Sequence, residues 1–253
     1  MPENAKLKAF LDKGVEVHNS PDFIESDPIS IPHLFRKKED IEISAFLTAS
    51  ISWGNRKAIL NNARRLMKAM DMAPCDFVTN YSDRDFKSLK GYVHRTFNDT
   101  DLLTFILCLK SLYLDEKGLE GLFSEGDLES SLRNFHTNFF CVTPASRTRK
   151  HVADISRNSA AKRLNMFLRW MVRKDDNGVD FGIWKGISPS SLFIPLDVHS
   201  GRTARDLGLL VRKQNDWKAV LELTEVLRKL DPSDPVKYDF SLFGMSLSGN
   251  PLT

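Results

Sequence analysis

Two side chains in this sequence combine reactive chemistry with a setting that could use it, Lys162 and Asp197. Lys162 falls in Ser159-Ala160-Ala161-Lys162-Arg163-Leu164, at the start of an amphipathic helix. A helix N-terminus and the neighbouring Arg163 both disfavour an ammonium, so a lowered lysine pKa is expected there. Such lowering is what a nucleophilic lysine requires, because at a pKa of about 10.4 the neutral amine is scarce at neutral pH. The local sequence alone reads more simply as a phosphate-binding or surface lysine. Asp197 lies in Ile194-Pro195-Leu196-Asp197-Val198-His199-Ser200-Gly201-Arg202. Pro195 cannot occupy a helix interior, so a helix starts just after it, with Asp197 in its first turn. Capping is the ordinary job of an aspartate at that position. The functional alternative is a carboxylate held ionised by the helix N-terminus and aimed into a cleft. His199 and Arg202, at i and i+3, share a helix face from which they can reach phosphate. Asp197 and His199 are two apart and face different ways, so they make no metal site.

These residues need elements to hold them, and helical periodicity dominates the chain. Ile41, Ile43, Phe46, Leu47 and Ile51 mark one apolar helix ending near Trp53-Gly54, and Ile59, Leu60, Ala63, Leu66, Met67 and Met70 mark a second that Pro74 stops. Thr100 to Leu114 is apolar on most faces and reads as a central helix, and Asp127 to Phe140 as another. Leu164, Phe167, Leu168, Met171 and Val172 give one face after Asn158-Ser159. Asn215-Asp216 can cap a helix carrying Trp217, Val220, Leu221, Thr224 and Leu227 inward, and Asp234-Pro235 reads as an N-cap with proline at the first helical position. No strand pair with a hairpin turn stands out. The chain through Pro32, and the stretch from Lys174 to Pro195, read as loosely organised. The fold class expected is all-α, with roughly ten helices.

The 253 residues are 42% hydrophobic and 27% charged, which excludes disorder and fibrous repeats as the main organisation. The net charge of +3 hides an asymmetry. Residues 147 to 174 hold nine Lys/Arg against one Asp, a balance of +8, leaving 27 basic and 32 acidic residues and −5 elsewhere. Such a segment is either a solvated helix surface or a contact face for a phosphate backbone. Arg147, Arg149, Lys150, Asn158, Ser159, Arg163, His199 and Arg202 are the candidate DNA contacts.

Pro-Leu-Asp-Val-His-x-x-Arg-x-x-x-Asp-Leu-Gly-Leu, Pro195 to Leu209, resembles the Pro/Val-Asp-Thr-His-x-x-Arg segment of the helix-hairpin-helix DNA glycosylase superfamily, which includes endonuclease III. Ser159 to Leu164 is similar in position and character to that family's Gly-x-Gly-Arg-Lys-Thr-Ala segment. The resemblance implies that Asp197 is the catalytic carboxylate and Lys162 the Schiff-base nucleophile. Their separation of 35 residues looks closer to the archaeal 8-oxoguanine glycosylases than to endonuclease III. Ile41 to Met70 looks like the family's first core helix pair, which puts Ser50, Trp53 and Asn55 near residues that fill the gap left by an extruded base. The implied fold is two helical lobes across a cleft, about 41–170 and 1–40 with 190–253. The implied activity is base excision with AP-lyase chemistry, or else nucleic-acid binding without catalysis on the same fold. Two departures matter. Arg157-Asn158-Ser159-Ala160 replaces the glycine hairpin whose amides approach phosphate, and the four-cysteine iron–sulfur loop is absent, so no cofactor is expected. Phe167 to Arg173 and Tyr238 to Gly244 match more closely a bacterial family of conserved hypothetical proteins, a match that carries no activity with it.

Trp170 and Trp184 are each either core or a stacking platform for an extruded base, Trp184 being the better pocket candidate. Three widely spaced cysteines build no disulfide framework, and six scattered histidines have no metal-ligand spacing. The serines at 188, 190 and 191 lack a nucleophile-elbow context, which excludes a serine hydrolase, and no glycine-rich nucleotide loop occurs. With no signal-length apolar start and no spanning stretch, a cytoplasmic monomer acting on damaged duplex DNA, without membrane contact, is expected.

Overall fold

In a computed structural model, which describes residues 2–124, 126–143 and 146–248, the protein is all-α apart from one very short hairpin. The elements are α1 (Pro2–His18), α2 (Pro21–Ser26), α3 (Lys38–Ser50), α4 (Arg56–Ala69), α5 (Pro74–Asn80), α6 (Phe86–Leu89), β1 (Val93–His94), β2 (Phe97–Asn98), α7 (Asp99–Leu114), α8 (Leu128–Phe139), α9 (Lys162–Val172), α10 (Val198–Asp206), α11 (Trp217–Leu230) and α12 (Tyr238–Ser248). Short 3-10 turns connect several of them. The chain divides into two compact units, residues 26–154 and residues 1–25 with 155–253. These boundaries differ from those expected near 40 and 170. Pro28, Ile29, Ile31 and Pro32 are buried in the unit that holds α3 and α4, and α9 is tied by ion pairs to Asp180, Asp234 and Asp239 of the other.

In residues 26–154 the core helix is α3, buried at every position from Ile41 to Ser50. Phe46 meets Phe139 of α8 at 5.0 Å and stacks on Phe105 of α7 at 5.8 Å, so an aromatic cluster locks three helices together. Side-chain caps fix the helix starts. Asn55 accepts from the Ala58 amide, Asp127 from the Ser130 amide, and Asn98 forms a reciprocal box with Asp101. Pro74 opens α5 rather than stopping α4, which ends at Ala69 ahead of two left-handed residues, Asp71 and Met72. The hairpin was not expected. It pairs Val93 with Asn98 and His94 with Phe97 around a two-residue turn in which Arg95, with φ +56°, takes a conformation usually supplied by glycine.

In the other unit, the N-terminal segment is a correction to the sequence reading. It is helical because α1 crosses α12 closely: a Cβ at Gly14 would overlap Ser241, and one at Gly244 would overlap the His18 ring. The stretch from Lys174 to Pro195 is irregular but pinned, with the Phe181 and Trp184 amides bonded to the Trp170 and Met171 carbonyls. Beneath it lies an ionic network. Arg169 pairs with Asp239 at 2.5 Å and Asp180 at 3.3 Å; Arg173 pairs with Asp175, Asp180 and Asp234 at 2.5, 3.1 and 2.8 Å. Both guanidiniums are buried and stand over the Phe240 ring. Two of the nine cations in the basic segment are therefore neutralised inside the protein instead of facing solvent.

A lysine and two carboxylates at a candidate site

The turn that delivers Lys162 runs through Asn158, Ser159, Ala160 and Ala161. Asn158 and Ala161 both take left-handed backbone, with φ +62° and +48°. The chain thus makes a tight turn without glycine. Asn tolerates that conformation, whereas for Ala it costs about 1–2 kcal/mol. Residues 215–217, leading into α11, hold the turn in place. Ser159 bridges Asp216, the Trp217 amide donates to the Asn158 carbonyl at 3.3 Å, and Asn158 Nδ2 donates to Asp216 Oδ2 at 2.9 Å. One residue earlier, Asn215 Nδ2 donates to the Asp197 carbonyl at 2.9 Å. A single three-residue segment therefore positions both the lysine turn and the aspartate. Asp216 is itself fixed by its pair with Arg212 and by capping the Ala219 amide, bonds that hold its carboxyl well below the usual range.

Lys162 is the first residue of α9, half-buried, with Nζ 3.2 Å from Met166 Sδ. Asp197 is the N-cap of α10. Its Oδ1 accepts from the His199 and Ser200 amides at 2.8 and 2.9 Å and from Ser200 Oγ at 3.2 Å, and Oδ2 accepts no hydrogen bond from the described residues. Capping and an open carboxylate oxygen thus coexist on one side chain.

Asp239, in the first turn of α12, was missed from sequence. It sits between Tyr238 and Phe240, and α12 packs against α10. Burial pushes its carboxyl up to about 6; Arg169 and Lys162 pull it down, while the Asp197 and Asp180 carboxylates push it further up. Asp239 is therefore close enough to feel both Lys162 and Asp197. The only sequence signal was a lone aspartate in an otherwise apolar helix.

The other candidates scatter. Asn158 is exposed and Ser159 half-exposed; His199 is exposed and edge-on to Phe243 at 6.5 Å; Arg202 is exposed, 3.9 Å from Asp206. Arg163 is half-buried, which lowers its guanidinium to about 10. Arg147, Arg149 and Lys150 belong to the 26–154 unit. Arg147 bonds Asp101 at 2.7 Å and Asn98 at 3.0 Å, Arg149 donates to the Phe140 carbonyl, and Lys150 is exposed. In the same unit Ser50 is buried, Trp53 is wedged between His94 and His151, and Asn55 is an exposed cap. Trp170 and Trp184 are corrected to core residues: they are 0% and 1% exposed, with Trp184 edge-on to Phe167, and neither offers a ring face to a base. Among the described residues, no cluster of three His, Cys, Asp or Glu can hold a metal, and no helix is long and apolar enough to cross a membrane.

The chain belongs to the family described as protein of unknown function DUF2400, which it matches over residues 27–248. No curated protein and no solved structure matches it.

Proposed function

We propose that this member of the DUF2400 family is a DNA base-excision glycosylase with associated AP-lyase activity, working through a Schiff base on Lys162. The observation that supports the reading is that one three-residue scaffold holds both the Lys162 turn and Asp197. Two helix starts, 35 residues apart in sequence, are tied to residues 215–217, and both side chains act on the same buried carboxyl. An amine and a carboxylate with an open oxygen, both acting on one buried carboxyl, supply the two groups needed to displace a base and manage the charge that develops.

In this reading the damaged nucleotide leaves the duplex and the neutral Lys162 amine attacks the sugar C1′. The C1′–N bond breaks, the base departs with a proton, and the sugar ring opens to a protonated imine that permits strand cleavage at the 3′ side. Asp197 Oδ2 stabilises positive charge on the sugar and accepts a proton from the lysine nitrogen. Strand nicking on a panel of duplexes carrying single oxidised, alkylated or deaminated bases tests this. Nicking of at least one, lost in Lys162→Gln, is expected; nicking retained in that variant overturns the role of the lysine.

A second reading, nucleic-acid binding without catalysis, is favoured by one observation. Asp197 Oδ1 is fully occupied as a helix cap, which is sufficient structural reason for an aspartate. Duplex binding with no nicking of any lesion would select it.

A further inference from the structure

Helix α4 contains Arg56, Lys57, Arg64, Arg65 and Lys68 and no acidic residue. Its apolar residues Ile59, Ala63, Leu66 and Met67 are buried, and its exposed positions are Lys57, Asn61, Arg64, Arg65 and Lys68. At about 100° per residue those five occupy an arc of roughly a quarter turn, and at about 1.5 Å per residue they extend over about 16 Å. None of the ion pairs among the described residues uses Lys57, Arg64, Arg65 or Lys68. Arg65 Nη2 donates to the Gly91 carbonyl at 3.2 Å, which joins the stripe to the segment holding exposed Lys87, Lys90 and Arg95. Of the carboxylates in that segment, Asp99 accepts from the Gly91 amide and Asp85 from Ser82, and Asp83 is exposed.

We propose that this face is a docking surface for the phosphate backbone of duplex DNA. It lies in the 26–154 unit, contains none of the Lys162 machinery, and does not rest on the lysine chemistry. An ordinary solvated helix intersperses both signs of charge; the exposed face of this one carries cations alone, and Lys57, Arg64, Arg65 and Lys68 stand in a row outside the ion pairs of the described residues. Duplex DNA presents one charge per about 1.7 Å of axis, so 16 Å of helix faces more phosphates than it has cations. The arginine forks and Asn61 amide suit phosphate oxygens. A membrane surface fits less well, because an interfacial helix needs an apolar face to insert and the apolar face of α4 is already buried.

The test uses the full chain and a fluorescein-labelled, undamaged 20-base-pair duplex, with anisotropy read across a salt series. K57Q/R64Q/K68Q removes three exposed cations; K213Q/K218Q/K229Q removes three exposed cations from the other unit as a net-charge control. The α4 variant is expected to lose more than about tenfold in affinity at low salt and to flatten the log–log salt slope by about 2.7, at about 0.9 per phosphate contact. The control is expected to stay near the wild type. Absence of duplex binding by the wild type, equal losses in the two triple variants, or an unchanged slope overturns the proposal. So does loss of binding to phosphatidylserine vesicles in the α4 variant with duplex binding intact.

Discussion

Asp239→Asn should change how folding stability depends on pH, and the sign follows from burial. The Asp239 carboxyl titrates at about 6 in the folded chain, against 3.8 for the free side chain. A carboxyl raised on folding favours the native state below its unfolded pKa, and that contribution is lost as pH rises through the folded value. Between about pH 8 and about pH 5 the native state takes up most of one proton that the unfolded state does not, a gain on the order of 1 kcal/mol on acidification. Guanidinium unfolding of the wild type and of Asp239→Asn at both pH values isolates this term, because the surface caps cancel in the difference. The variant should lack the gain. Its carboxamide keeps a hydrogen-bond acceptor for Arg169, so folding should survive. The same carboxyl reports on its neighbours: its midpoint, read by carboxyl-carbon NMR, should fall in Asp197→Asn and rise in Lys162→Gln, since the first removes a negative neighbour and the second a positive one. A midpoint unmoved by either substitution would refute the placement of the three groups together, and a wild-type stability that declines from pH 8 to pH 5 in parallel with the variant would refute the burial argument.

Gly244→Ala should destabilise by about 1–3 kcal/mol in chemical denaturation, because its Cβ meets the His18 ring at the crossing of α1 and α12. Ala161→Gly should raise stability by up to about 1 kcal/mol by relieving left-handed strain, partly offset by the entropy of glycine. Asp197→Ala should cost about 0.5–2 kcal/mol through the lost cap, while Asp197→Asn keeps the cap and the fold. In the proposed reaction Asp197→Asn should bind duplex normally and turn over about 10²-fold or more slowly, measured in single-turnover nicking.

In the 26–154 unit α3, α4, α7 and α8 were legible from their apolar residues, with caps at Asn55 and Asp127 opening α4 and α8, whereas the short α5 and α6 were not. The capped start of α11 at Asp216 was legible for the same reason. What escaped depends on partners far along the chain. The start of α1 reads as loose until Gly14 meets Ser241, more than two hundred residues later. Arg169 and Arg173 look like surface charge when cations are counted along the sequence, and become core only because Asp180, Asp234 and Asp239 fold onto them. Trp170 sits off the strict apolar stripe, yet α9 is buried from Leu164 to Val172, so the stripe says little. The helix starts at Lys162 and after Asp197 were legible from local sequence, whereas the burial of Asp239 was not: an aspartate in the first turn of a helix is commonplace, and its place beside Arg169 is a tertiary fact.

In the proposed reaction the Lys162 amine forms the covalent intermediate. Incubation of the full chain with lesion-bearing and abasic duplexes in borohydride, followed by digestion and mass spectrometry, tests it directly. A reduced sugar adduct on the peptide containing Lys162, with no trapped complex in Lys162→Gln, is the expected result. An adduct on a different amine, or trapping undiminished in Lys162→Gln, would contradict it.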